Sequence, residues 1–130
     1  MEREVILNNI KNVCDKEVNV KMSFVFGSFA TYREMPESDI DVAVYLENPD
    51  DYMSLWNKID SAVQRNTDLI VLNTAGPSIS LSALRGIHLL IKDYKFYLNY
   101  MLKISSEAED FCDYVIDFFN QRKKIRNGSI

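Results

Sequence analysis

The sequence is short of the residues that make chains flexible or cross-linked. It holds 4 glycines and 3 prolines in 130 residues, too few for a linker or a low-complexity tract. It has one histidine, His88, which argues against a multi-histidine zinc site and leaves no spare for a Ser–His relay. Its two cysteines, Cys14 and Cys112, lie far apart within apolar helical patterns. They read as small buried hydrophobes, not as a disulfide frame or a metal site. There is no apolar run of membrane-spanning length and no leader pattern, so a cytoplasmic, reduced protein with no membrane partner is expected. Positive charge is scarce too: 15 Lys and Arg against 19 Asp and Glu give a net charge of -4. Such a field opposes nucleic acid, and no direct nucleic-acid binding is expected. A nucleotide whose charge a metal ion screens is not excluded. The one basic cluster, Arg122-Lys123-Lys124-Ile125-Arg126, reads as a solvated helix end, where cations suit the last turn.

What is present suits one packed core. Hydrophobic residues make up 47% and charged residues 26%, and the length is that of a single domain, 1–130, with 123–130 as a candidate flexible tail. Val5, Ile6, Ile10, Val13 and Cys14 recur at helical spacing over 2–17. "VKMSFVF" (20–26) reads as a strand ending at Gly27. A short helix is expected from Ser28 to about Arg33, with Pro36 preventing its continuation. "DIDVAVYL" (39–46) reads as a second strand. Asn48 caps a helix with Pro49 in its first turn, and Tyr52, Leu55, Trp56, Ile59 and Val63 mark its buried face. "TDLIVLN" (67–73) and "IHLLI" (87–91) are further strands. Between them a helix opens at Pro77-Ser78 and stops at Gly86. Asp93 caps a final aromatic-rich helix that Ser105-Ser106 bends, with a capping box from Ser106 to Glu109. The alternation predicts an α/β (α+β) mixed sheet with helices packed on it.

One stretch carries chemistry. Side chains in a strand alternate, so Asp39 and Asp41 share a face while Ile40 enters the core. Two carboxylates about 6.6 Å apart along a strand repel unless a cation lies between them. Mg²⁺ takes a couple of carboxylates plus phosphate oxygens, which makes the pair a natural cradle for a nucleotide-bound metal. Gly27 lets backbone approach a ligand, and Ser28 offers a hydroxyl and free N–H groups to an anion. Asp68 opens the third strand on the face of Ile70 and Leu72. If that strand lies beside the second, Asp68 either ligates the metal or takes a proton from an attacking hydroxyl. Each element alone is commonplace: Gly-Ser is usually a turn, Asp-x-Asp a solvated edge, Asp68 a strand-start acid in water. Their combination, a strand, Gly-Ser, ten residues, then Ser-Asp-x-Asp opening an apolar strand, is specific.

Gly27-Ser28, ten residues and Asp39-Ile40-Asp41 resemble the signature of the DNA polymerase β-type nucleotidyltransferase superfamily. The small size resembles its minimal nucleotidyltransferases (MNT), more narrowly the MNT antitoxins paired with HEPN-domain ribonuclease toxins. The likeness runs on through "TDLIVLN", a Pro-containing turn and "LRGIHLLIKD". It implies a nucleotidyltransferase-like sheet of about four strands and Mg²⁺-dependent transfer of AMP from ATP, with release of pyrophosphate, onto a tyrosine hydroxyl of the toxin. By position, Gly27 and Ser28 hold phosphates, Asp39 and Asp41 bind metal, and Asp68 matches the third carboxylate. Two departures stand out. Relatives carry Arg-Gly after the Gly-Ser where this chain has Thr31-Tyr32, which leaves Arg33 as the substitute cation in a different register. Relatives carry Ala-Pro-Pro where this chain has Ala75-Gly76-Pro77. Competing readings are a small-molecule or RNA nucleotidyltransferase, and an antitoxin that neutralises by contact alone.

Overall fold

In the computed structural model, which describes residues 2–31 and 39–107, a four-stranded sheet carries helices on both faces. The chain forms α1 (Arg3–Lys16), β1 (Val20–Phe26), α2 (Gly27–Ala30), β2 (Ile40–Leu46), a 3₁₀ turn (Pro49–Asp51), α3 (Tyr52–Val63), β3 (Thr67–Val71), α4 (Pro77–Leu84) and β4 (Ile87–Ile91). Residues 94–107 form a further helix, α5. The strand order is β3-β2-β1-β4. β1 is antiparallel to both of its neighbours, and β2 and β3 are parallel. A parallel pair needs a crossover, which α3 supplies.

Alternation in the strands divides the core into two layers. On one face Ile40, Val42, Val44 and Leu46 of β2 meet Ile6, Ile10 and Cys14 of α1 and Leu55, Ile59 and Val63 of α3. On the other face Met22, Phe24 and Ala43 meet Ala83 and Leu84 of α4 and Tyr97, Tyr100 and Ile104 of α5. Each fully buried aliphatic side chain is worth about 1.5–3 kcal/mol of transfer free energy. β1 serves both layers by alternation, Val25 on the α1–α3 side and Phe24 on the α4–α5 side, and its pairing with β2 shifts register between Val20 and Met22. The irregularity moves Val20 to the α1 side and keeps Met22 and Phe24 on the α4–α5 side.

Polar side chains fix where the strands begin and end. Asn73 pairs with both backbone groups of Leu46, accepting from its N–H at 3.0 Å and donating to its carbonyl at 2.7 Å. At the turn after β2 the Asn48 side chain accepts from the Asp50 N–H. Gln64, in the left-handed region at φ 53°, closes α3. Asp93 caps α5, its carboxylate accepting from the Phe96 N–H at 3.1 Å. The Tyr100 hydroxyl donates to Ser80 Oγ at 3.1 Å and ties α5 to α4.

Some expectations are corrected. β2 starts at Ile40, not Asp39. α2 is one turn and stops at Ala30, where Thr31 folds its N–H and hydroxyl back onto the Gly27 carbonyl. Tyr52 is 38% exposed: it opens α3 one turn ahead of Leu55, the first buried residue of the helix. Val5 is 43% exposed beside buried Ile6. Helix α5 runs unbroken through Ser105-Ser106. Arg33, Pro36, Glu109, Cys112, the basic cluster at 122–126 and the tail at 123–130 lie outside the described residues. Among the described residues no helix is long and apolar enough to cross a membrane.

Candidate active site

The sheet brings three of the sequence-selected acids to one end. In the parallel pair Asp41 stands opposite Asp68, and Phe26, the residue before Gly27, stands opposite Asp41 on the other side. The end of β1 and the starts of β2 and β3 therefore meet on the face that also carries Ala43 and Ile70. Asp39 precedes the first residue of β2. It is exposed, as is Asp68, while Asp41 is half-buried.

Asp41 shows the strain of this arrangement. Burial, then the charge of Asp68, then that of Asp39, raise its carboxyl above the ordinary value. Raised by its neighbours, a carboxylate favours a proton or another cation. Gly27 is fitted to the same carboxylate. Its φ of 73° lies in the left-handed region, and a Cβ there would run into Asp41 Oδ2. Only glycine gives the chain this turn while leaving the acid its place. Ser28, half-buried, is the next residue.

The start of β3 is held from below. The Asp60 carboxylate of α3 accepts from the Thr67 N–H at 2.9 Å and from its hydroxyl at 2.6 Å, and the Trp56 indole N–H donates to the Thr67 carbonyl at 2.8 Å. Thr67 is buried and Asp68, next in line, is presented outward. The sequence alone does not reveal this clamp; its signal, an Asp seven residues ahead of a strand-opening Thr, is too weak to read without the helix between them.

The donor set suits a hard divalent cation, since carboxylate oxygens are what Mg²⁺ prefers. Among the described residues no three His, Cys, Asp or Glu side chains are gathered closely enough to hold an ion by themselves. Unscreened like charges hold apart, and Mg²⁺ bound with phosphate oxygens needs only one or two protein carboxylates. Asp39, Asp41 and Asp68 therefore fit such an ion as partial ligands, with Gly27 leaving the space beside Asp41 open.

A cleft of about 730 Å³ opens beside Gly27 and Ser28. Thr31, Ser82, Arg85 and Gly86 also line it. Sequence pattern marks Gly86 as a helix stop and gives Ser82 and Arg85 no role. The remaining candidates stay outside the site. Burial pushes the Cys14 thiol up to about 11, so it is an inert core residue. His88 sits with Nε2 2.7 Å from the Leu84 carbonyl and its ring edge-on to Phe24.

Solved structures share this architecture. A toxin–antitoxin complex with AMP-PNP contains a chain that superposes with a TM-score of 0.66 at 22% identity, covering 87% of this chain and 97% of that one. A complex of tri-AMPylated Shewanella oneidensis HEPN toxin with MNT antitoxin gives 0.62 at 20% identity, covering 91% and 98%. The MntA–HepT toxin–antitoxin gives 0.61 at 20% identity, covering 89% and 97%. At these identities the likeness is one of fold. No curated protein sequence matches. The profile of the family described as polymerase beta, nucleotidyltransferase matches residues 8–96, a span that takes in Gly27, Ser28, Asp39, Asp41 and Asp68. The chain belongs to the polymerase beta nucleotidyltransferase family.

Proposed function

We propose that this nucleotidyltransferase moves AMP from ATP, with Mg²⁺, onto a hydroxyl of a partner HEPN ribonuclease toxin, most simply a tyrosine, and so acts as its antitoxin. The observation that carries the reading is the Asp41 carboxylate. It stands against Gly27 and opposite Asp68, raised first by burial and then by Asp68 and Asp39, in a place where a cation would offset the acidic neighbours. The AMP-PNP complex and the AMPylated toxin among its structural neighbours support the choice of nucleotide and partner.

Asp39 and Asp41 would hold Mg²⁺, with Asp68 as third ligand or as base. The ion would neutralise charge on the phosphate oxygens as it grows in the transition state. Gly27 admits the triphosphate backbone, and Ser28 donates its hydroxyl to a phosphate oxygen. Arg33 is a candidate for a further contact there. The acceptor oxygen bonds to the α-phosphorus. The bond from that phosphorus to the α,β-bridging oxygen breaks, and pyrophosphate leaves with its electron pair. The acceptor's proton passes to a carboxylate, for which Asp68 is placed beside Asp41. Positioning does much of the work, since the hydroxyl must lie in line with the leaving oxygen.

The test is co-expression with a HEPN toxin and intact-mass measurement of that toxin. One or more adenylyl additions should appear with wild type and vanish with the Asp39→Asn/Asp41→Asn double variant. Neutralisation by the double variant with no mass added would sink the proposal in favour of an antitoxin acting by contact.

A further inference from the structure

The cleft beside Gly27 has a second wall, formed where α4 gives way to β4. Arg85 is the one charged residue among the described residues lining it. It is exposed, and its guanidinium has no ion pair, ring contact or side-chain hydrogen bond among the described residues. Its place is set by packing. A Cβ on Gly86 would overlap the Val25 carbonyl oxygen and crowd Phe26 Cβ, so the chain leaving α4 is pressed onto the end of β1. α4 is itself anchored through fully buried Ala83 and the Ser80–Tyr100 hydrogen bond.

The charges are thereby sorted. β1 lies between β2 and β4, with Phe26 paired to Asp41 on one side and Val25 paired to Ile87 on the other. The acids flank Gly27 from the β2 side, and the guanidinium reaches the cleft from the β4 side. A polyanion carrying a divalent cation matches that layout: its metal end faces carboxylates and its free phosphates face an arginine. The planar guanidinium fork suits phosphate oxygens and is charged at every working pH.

We propose that Arg85 receives the β- and γ-phosphates of the nucleotide in this cleft, and so selects a triphosphate over a monophosphate. The same contact stabilises the charge on the departing pyrophosphate. This inference rests on the nucleotidyltransferase reading of Asp39 and Asp41.

The experiment is calorimetric titration of the purified full chain, in Mg²⁺, with ATP, AMP and inorganic tripolyphosphate. Losing a charge-assisted contact should weaken ATP and tripolyphosphate by about tenfold or more in Arg85→Ala. AMP binding should not change, and Arg85→Lys should recover part of the loss. If Arg85→Ala binds ATP and tripolyphosphate as wild type does, Arg85 has no such role and the acidic site still stands. An equal loss for AMP and ATP overturns the proposal too, by placing the nucleoside at Arg85. Wild type that fails to bind ATP overturns this inference and the proposed function together. Should the alanine variant melt early, Arg85→Gln is judged by the same comparisons.

Discussion

Asp60 holds Thr67 twice, at 2.9 Å from its N–H and 2.6 Å from its hydroxyl, and thereby aims Asp68. The pair joins the last turn of α3 to the start of β3. Asp60→Ala leaves a buried N–H and hydroxyl unpaired. It should lower stability by about 2–4 kcal/mol in urea unfolding, since bonds to a charged acceptor are worth about 1.5–3 kcal/mol each and are not additive. If the clamp acts through Asp68, turnover should fall as well. The losses from Asp60→Ala and Asp68→Asn should then fail to add in a double-mutant cycle; additive losses would separate the clamp from the catalytic acid.

Asp41→Asn should abolish transfer and raise thermal stability in the absence of divalent cation. Activity should fall by more than about a hundredfold, beyond the range that changes around a metal ligand produce. The stability gain stems from a carboxyl raised in the fold by burial, Asp68 and Asp39 above its ordinary 3.8. Between those two values the folded state binds more protons than the unfolded one, so stability falls as pH rises through that window. Melting curves against pH should show that fall in wild type and a reduced one in Asp41→Asn. Affinity for MgATP should drop as pH is lowered through the same window, where a proton competes with the cation.

Asp68→Asn separates the roles left to the third acid. Turnover should drop strongly with little change in ATP affinity if Asp68 takes the acceptor's proton. Single-turnover rates and equilibrium binding on one preparation decide it. A variant with wild-type turnover would return Asp68 to the status of a solvated strand-start residue.

Gly27→Val should be the most damaging single change in the phosphate cradle. It places a branched side chain at φ 73° against the Asp41 carboxylate, costing stability and obstructing the ligand. Ser28→Ala should lose only one hydroxyl contact to a charged phosphate, worth about 1.5–3 kcal/mol in kcat/KM. Wild-type turnover in Gly27→Val would refute the cradle.

The sheet is legible in the sequence because its strands are apolar runs bounded by punctuation. β1 and β4 fall on the expected 20–26 and 87–91, where Gly27, Gly86 and the Asp93 cap mark the limits. The facing of Asp41 is legible as well, since period-two alternation places it with Ala43 and Tyr45, whereas Asp39 precedes the strand. Whether Asp68 joins it is not, because strand order is a long-range property and β3 pairs with β2 only through the α3 crossover. Arg85 is hidden for the same reason. Fifty-eight positions separate Gly27 from it in sequence, and the close approach that seats it depends on an absent Cβ at Gly86 meeting a carbonyl of β1. Tyr52 departs from its expected burial because it opens α3, one turn ahead of the first buried residue, Leu55.

The bidentate amide of Asn73 on Leu46 has a counterpart in Asn19, whose side chain pairs with both the N–H and the carbonyl of Asn48 at 2.6 and 2.9 Å. These ties close the far end of β2, remote from its acidic start. An amide does not titrate and carries no net charge, so these two ties do not themselves depend on pH. Near the start of β2, Asp41 stands opposite Asp68 of β3, and its carboxyl, raised by burial and then by Asp68 and Asp39, responds to pH. One strand thus ends on uncharged amide ties and begins among clustered carboxylates, so a cation at the site meets its charge at the opposite end from the ties that fix the strand.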